Sequence, residues 1–179
     1  MPDCITNKQM TSKANITSYT RTMAGYNRWM NERIYDSCST IPAEALKRDM
    51  GAFFKSIHGT LNHTLLADRI WMGRFMGQPF AFKSLDQELY PDFLQLRAER
   101  EKTDGSIIEW SESLTDSELN RTLHYTSAVT PKPRSYPLWF AVIHFFNHQT
   151  HHRGQITTLL SQHGIDPGIT DLIWLPEFQ

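Results

Sequence analysis

The stretch that decides the fold is HFFNHQTHHRGQ, residues 144–155, inside a longer segment at residues 135–163. Apolar residues recur through this segment at spacings of three and four, which indicates a long helix. Ser135 can cap such a helix, Pro137 fits its first turn, and Gly164 is a suitable stop after its last turn. We therefore predict that the last helix of the chain spans about residues 135–163.

Three further long helices are predicted upstream from the same spacing of apolar residues. The second is expected from about Gly51 to Met76 and the third from about Pro91 to Ser113. The first is marked by four apolar residues at helical spacing, Met23, Tyr26, Met30 and Ile34. Four amphipathic helices favour an all-α fold, a four-helix bundle.

The segment before the last helix has a different character. Thr115–Glu118 has the form of a capping box and should open one short helical turn. Polar and apolar residues alternate after Arg121, and two prolines follow, which predicts a short hairpin or an extended loop up to Arg134. We expect residues 1–17 to be a polar N-terminal tail and residues 18–179 to form a single helical bundle domain.

Composition limits the class of protein. The chain has 179 residues, 40% of them hydrophobic, and a formal net charge of -1, so no binding to nucleic acid or to an anionic membrane is expected. It has no apolar run of transmembrane length and no apolar segment typical of a signal peptide. Cys4 and Cys38 do not make a disulfide framework, so a cytoplasmic location is expected.

Histidine is the residue type that stands out, because 4 of the 8 histidines lie between His144 and His152. His148 and His152 are one turn apart, so both imidazoles can reach a single cation at about 2.0–2.1 Å. Their phase relative to the apolar stripe points the pair into the bundle. Burying several unpartnered imidazoles would cost a few kcal/mol each, which favours a metal site over a histidine cluster paired with carboxylates.

A third ligand must come from another helix, because two histidines alone make a weak site. The second helix offers His58 and His63, and periodicity does not decide between them. His144, one turn before His148, is expected beside the ligands rather than among them. His151 is expected nearer the bundle surface or at a contact between subunits.

From about Tyr26 to Asp171 the sequence resembles the DinB-like bundle proteins, which are distinct from the DNA polymerase of similar name. They share their fold with the YfiT-like group of proposed metal-dependent hydrolases. Three segments carry the resemblance: YNRWMN at residues 26–31, FFKSIHGTLNH at residues 53–63, and NHQTHHRGQ at residues 147–155. Trp71, Arg74, Gly164 and Asp171 also fit the pattern of the family.

The resemblance implies that His63, His148 and His152 are the metal ligands, which selects His63 over His58. It also implies an up-down-down-up order of the four long helices. The expected ion is one divalent transition metal, zinc or nickel first, with iron, manganese or copper as alternatives. Three further residues are expected as pocket groups or as ordinary polar residues of the helix surface: Asn147, Arg153 and Gln155. Gly154 is expected at a close contact between helices.

Two chemistries follow from the resemblance: hydrolysis by an activated water, and transfer of a small-molecule thiol. The sequence identifies no catalytic residue, although His144 and Asp68 are candidates for a proton acceptor. The alternative function is a non-catalytic metal- or small-ligand-binding protein of a stress response. The expected partners are a small-molecule substrate or thiol and a second copy of the chain in a homodimer. Four aromatic residues are candidates for the dimer face: Trp29, Trp71, Phe75 and Trp110.

Overall fold

The computed structural model describes residues 15–127 and 130–179. In chain order, its elements are α1 (Ile16–Ser39), α2 (Ala43–Leu46), α3 (Ile57–Phe75), α4 (Phe93–Ser113), α5 (Asp116–Leu119), β1 (Thr122–Thr126), β2 (Pro133–Pro137) and α6 (Leu138–Gln162). Two single turns of 3-10 helix follow at Leu172–Trp174 and Pro176–Phe178. Most of the predicted polar tail, and Cys4 with it, lies outside the described residues, whereas residues 16 and 17 already belong to α1.

The four long helices form a bundle in which α1 and α3 each pack against both α4 and α6. The apolar faces of all four meet in one core, whose fully buried members include Leu65, Leu96, Ile107, Val142 and Phe146. The predicted four-helix bundle is therefore confirmed, and a two-stranded sheet is added to it. In the described part of the chain, no helix has the length and hydropathy needed to cross a membrane.

Helix α3 begins later than predicted. Residues 51–56 are not helical, because the chain turns there with Lys55 in the left-handed region at a φ of 66°. Ser56 then caps the helix, and its side chain accepts a hydrogen bond from the backbone N–H of Gly59 at 3.0 Å. The predicted start at Gly51 was wrong because the apolar pattern continues across this turn.

The predicted hairpin is confirmed, since β1 and β2 pair antiparallel from Thr122–Pro137 to Thr126–Pro133. The predicted start of the last helix is wrong, because Ser135 lies in β2 opposite His124 and does not cap α6. Pro137 precedes the helix as its N-cap residue, and α6 begins at Leu138. The predicted capping box at Thr115–Glu118 is present at α5.

A buried ionic cluster joins α1, α3 and α4. Arg100 donates to the Asp68 carboxylate at 2.6 Å and lies 2.9 Å from the Asp104 carboxylate, and all three side chains are almost fully buried. Asn27 and Asn31 of α1 donate to Asp104 at 2.9 and 3.0 Å. Burial raises the pKa of Asp68, and the Arg100 charge opposes that rise. Asp68 is therefore committed to this ion pair.

The aromatic residues expected at a dimer face lie against the core instead. Phe75 is only 4% exposed and stacks on Trp110 with ring centroids 4.8 Å apart. Trp29 and Trp71 are also partly buried against the core cluster. The expectation of an exposed ring was wrong for Phe75, whereas Trp29, Trp71 and Trp110 pack against the core and keep part of their surface exposed.

Candidate metal centre

His63, His148 and His152 meet between α3 and α6. One ring nitrogen from each histidine lies within 4.8 Å of the other two. His63 and His152 are each 6% exposed, and His148 is half-buried at the edge of the group. The structure therefore brings together the three residues that the family resemblance selected, although they lie up to 89 positions apart in the sequence.

The closest pair is on α6, where the Nε2 atoms of His148 and His152 lie 3.1 Å apart. Two imidazole nitrogens bound to one tetrahedral ion at about 2.0–2.1 Å would be separated by roughly 3.3 Å. Their spacing of one helical turn thus already holds these two rings at the separation of two ligands of one ion.

Hydrogen bonds orient two of the three rings. His63 donates through Nδ1 to the carbonyl oxygen of Leu85 at 2.8 Å, and His152 donates through Nδ1 to Oε1 of Gln155 at 2.8 Å. Since an oxygen of this kind can only accept, the proton of each ring lies on Nδ1 and the lone pair lies on Nε2. This is the arrangement in which a histidine binds a metal through Nε2.

The environment keeps these rings neutral. Burial, reinforced by the neighbouring histidines, lowers the pKa of His148 to about 3, and burial lowers the pKa of His152 to about 4. Burial also lowers the pKa of His63. An imidazole must be neutral to donate its lone pair, so at neutral pH all three are in the metal-binding form.

An aromatic wall closes one side of the group. The ring of Phe54 stacks on His63 with centroids 3.8 Å apart and an interplanar angle of 17°. Gly59 makes this contact possible, because a Cβ there would overlap the carbonyl oxygen of Phe54. An open cavity of about 590 Å³ adjoins this wall and is lined by Phe53, Phe54, Lys55, Gly59, Leu85 and Asp86. A small molecule therefore has room against Phe54, the residue that stacks on His63.

The other candidate histidines do not join the group. His58 is buried but points at the backbone carbonyl of Tyr90 at 3.0 Å and at the carboxylate of Glu88 at 3.1 Å. His144 is exposed, and its ring lies 6.0 Å from that of His148, so it is a neighbour of the site, as expected. His151 is exposed on the surface of the bundle, also as expected.

The polar residues of the α6 motif have separate roles. Gln155 holds His152 and also lies 3.3 Å from the Nε2 atom of His151. Arg153 is buried against α1, where it donates to the side-chain oxygen of Asn27, and Asn147 is exposed. The expectation of close helix packing at Gly154 was wrong, because a Cβ there would meet nothing within 4 Å.

Two parts of the site were not predicted. The carbonyl of Leu85 comes from the connection between α3 and α4, and no sequence signal marks a backbone acceptor there. Phe54 falls within the range predicted for the second helix, although it lies in the turn before α3 and stacks on His63. The only sequence feature that marks this turn is the pair Phe53 and Phe54 shortly before Ser56, the N-cap residue of α3.

The donor set fits a divalent transition metal. It consists of three imidazoles, two of which are oriented to present Nε2, and no carboxylate of the described residues joins the group. Three protein ligands leave coordination positions for water or substrate, which is the pattern of open rather than structural zinc sites.

Comparison with known proteins finds relatives of this chain. The sequence model of the DinB family matches residues 10–179. Protein DinB of Bacillus subtilis strain 168 is 27% identical over 160 residues, which covers 82% of this chain and 87% of that protein.

Two solved structures have the same fold. A DinB-like protein from Bacillus cereus ATCC 10987 superposes with a TM-score of 0.57 at 20% identity, over 79% of this chain and 91% of its own. YfiT from Bacillus subtilis, described as a probable metal-dependent hydrolase with an unusual four-helix bundle topology, superposes with a TM-score of 0.62 at 16% identity, over 88% and 93%. Since the family match spans nearly the whole sequence, the chain belongs to the DinB family.

Proposed function

We propose that this DinB-family protein holds one divalent transition metal on His63, His148 and His152 and acts as a metal-dependent hydrolase. The observation that carries the proposal is the convergence of three neutral imidazoles within 4.8 Å of one another. A divalent metal at such a site supplies Lewis acidity and lowers the pKa of a water or thiol that attacks the substrate. The description of YfiT as a probable metal-dependent hydrolase supports the same reaction class.

The residues around the ligands have defined tasks in this proposal. Leu85 and Gln155 fix the rings of His63 and His152 through their Nδ1 hydrogen bonds. Phe54 excludes water from one face of His63. His144 is the candidate proton acceptor, because its ring is next to that of His148 and because partial desolvation and the nearby Arg74 charge lower its pKa, which leaves it neutral at pH 7.

The direction of the helices is part of the proposal, since it decides which residues can face each other. We infer the up-down-down-up order from pairs of contacts. Tyr19–Phe146 and Asn27–Arg153 support a parallel arrangement of α1 and α6. His63–His152 and Trp71–His144 support an antiparallel arrangement of α3 and α6. In the same way, Arg21–Glu112 and Arg97–Asp36 support antiparallel α1 and α4.

The experiment is a metal analysis followed by a substrate screen. Protein purified without a histidine tag should bind about one equivalent of zinc or nickel, with iron, manganese and copper tested in parallel. The loaded protein should then hydrolyse at least one member of a panel of esters, amides and lactones. His148→Ala should lose this activity, and His163→Ala, at the end of α6, should retain it. Absence of metal binding would contradict the whole proposal.

Thiol transfer is the second candidate. It is favoured by the commitment of Asp68 to Arg100, which leaves no carboxylate base among the described residues of the histidine group. A thiol needs less help from a base than water does, because its own pKa is much lower. Metal-dependent consumption of a small thiol in the presence of an electrophile, without hydrolysis of the panel, would select this reaction. Metal binding with neither reaction would select the non-catalytic alternative.

The expected partners remain predictions of the sequence. They are a small-molecule substrate or thiol and a homodimer, with no nucleic acid, no membrane and a cytoplasmic location. Light scattering at micromolar protein measures the dimer directly, and a monomer mass would refute it. Of the four aromatic residues proposed from the sequence for the dimer face, Phe75 is buried in the core, and Trp29, Trp71 and Trp110 are partly exposed.

A further inference from the structure

A second polar feature lies along α3 from the histidine group. Arg74 follows His63 by eleven residues, which places it on the same side of α3 at about 16 Å along the helix. Its guanidinium carbon lies 4.5 Å from the ring centroid of Trp71 and 4.4 Å from that of Tyr125 in β1. The guanidinium therefore packs against one ring of the bundle and one ring of the hairpin, which also contact each other at 5.3 Å.

Arg74 differs from the other arginines of α3 and α4. Arg69, Arg97 and Arg100 each contact a carboxylate at 2.6–2.7 Å. Within residues 15–127 and 130–179, Arg74 has no ion pair. Burial lowers its pKa, because the charged guanidinium is partly desolvated and no carboxylate offsets that cost. A cation of this kind is suited to an anion that arrives with a ligand.

Two rings, those of Trp71 and His144, lie between Arg74 and the histidine group. The ring of Trp71, on which Arg74 lies, is 5.0 Å from that of His144, which is in turn 6.0 Å from that of His148. The three neutral ligand histidines also leave the charge of a bound divalent ion uncompensated by any described carboxylate. The Arg74 guanidinium and a divalent ion on the three histidines would therefore each favour a negatively charged group.

We propose that Arg74 binds the oxyanion group, a carboxylate or a phosphate, of a small molecule whose other end reaches the histidine group. A guanidinium packed against the rings of Trp71 and Tyr125 offers its N–H donors as a planar fork, which matches either oxyanion with two parallel hydrogen bonds. The proposal rests on the proposed function only in its second half, because anion binding by Arg74 itself requires no metal.

The test uses three probes of similar size: phenylacetate, phenyl phosphate and the neutral phenylacetamide. Each is titrated into the full-length protein, metal-free and zinc-loaded, while the Nε–H signal of Arg74 is followed by nitrogen-15 NMR. That signal is assigned by its loss in Arg74→Gln and Arg74→Lys. We expect the anions to bind at least about tenfold more tightly than the amide in the metal-free protein.

The variants decide the role of the side chain. The preference for anions should vanish in Arg74→Gln, persist in part in Arg74→Lys, and be unchanged in Arg28→Gln, whose exposed ion pair lies on α1. Equal binding of all three probes, or a preference that survives Arg74→Gln, would overturn the proposal. A preference without any zinc binding would support the Arg74 site and contradict the proposed metal function. The tighter of the two anions shows whether Arg74 prefers a carboxylate or a phosphate.

Discussion

The Nε2 atoms of His148 and His152 lie 3.1 Å apart on α6, and His152 keeps its own proton on Nδ1 through Gln155. The Nε2 lone pair of His152 is therefore directed at the partner ring. Two facing Nε2 atoms are stable in either of two states. His148 can carry a proton on Nε2 and donate it to His152, or a cation can bind both lone pairs. A metal satisfies the pair more completely, because His63 supplies a third nitrogen to the same point.

The first prediction concerns the ligands. Replacement of His63, His148 or His152 by alanine should each lower zinc affinity by more than about 100-fold, since even residues that only support a ligand change affinity by 10–100-fold. Titration against a competing chelator measures this. His58→Ala is the matched control on α3, because His58 bonds to the connection near Tyr90 instead. An equal loss in His58→Ala would mean that the ligand set is wrong.

The second prediction concerns pH and metal affinity. Three histidines with an unperturbed pKa near 6.5 would lose about 1,000-fold in affinity between pH 7.5 and 5.5, because protons would compete at each ring. Here burial lowers the pKa of His148 to about 3 and that of His152 to about 4. We therefore expect a loss of less than about tenfold over that range, and a steep loss only as the pH approaches 4. Calorimetry at a series of pH values tests this, and a steep loss near pH 6 would contradict it.

The third prediction concerns the stability of the metal-free protein. The folded pKa values of His148 and His152 lie below the unfolded value, so between about pH 6.5 and 4 the unfolded chain binds more protons. Above about pH 6.5 both rings are neutral in the folded and unfolded states, so their titration does not change the free energy of unfolding. As the pH falls below 6.5, the free energy of unfolding decreases. Urea unfolding at pH 7 and pH 5 should show the decrease. The double variant His148→Gln/His152→Gln should have a flatter pH profile, and an unchanged profile would refute the assignment.

The fourth prediction concerns Gln155, which accepts the Nδ1 proton of His152 at 2.8 Å. Gln155→Leu removes this acceptor and should lower zinc affinity by about 10–100-fold without loss of the bound stoichiometry. The control is Gln162→Leu, an exposed residue at the end of the same helix. Unchanged affinity in Gln155→Leu would show that helix packing alone orients the ring of His152.

The fifth prediction compares two helical glycines. Gly59→Ala should destabilise the protein by about 1–3 kcal/mol and weaken metal binding, because the new Cβ displaces the backbone that carries Phe54 away from His63. Gly105→Ala on α4 meets open space and should be neutral, or stabilising by up to about 1 kcal/mol. Thermal unfolding and zinc titration of both variants make the comparison. Similar behaviour of the two would contradict the proposed role of Gly59.

The spacing of apolar residues predicts where the helices are. Where each helix begins and ends depends on contacts with residues that are distant in the sequence. The spacing of Met23, Tyr26, Met30 and Ile34 predicts a buried face, and all four are buried in α1. Ser135 has the chemistry of an N-cap, but pairing with β1 places it in a strand. Tertiary pairing thus overrides a local preference that was correctly identified.

The site was predictable where its geometry is local. The relation of His148 to His152 is one helical turn and can be seen in the sequence. The choice between His58 and His63 could not be made from periodicity, because both are buried on α3. What separates them is the connection after α3, where Tyr90 and Glu88 engage His58 and Leu85 engages His63. Only the resemblance to the DinB-like proteins had favoured His63.

The buried cluster of Asp68, Arg100 and Asp104 has a consequence for how sequences of this fold can diverge. Removal of Arg100 leaves two carboxylates uncompensated in the interior, at a cost of about 3–5 kcal/mol, while the whole stability of such a domain is only about 5–15 kcal/mol. A chain that loses Arg100 while it keeps both aspartates therefore retains little of its stability. We expect related sequences either to retain Asp68, Arg100 and Asp104 together or to replace all three with apolar residues.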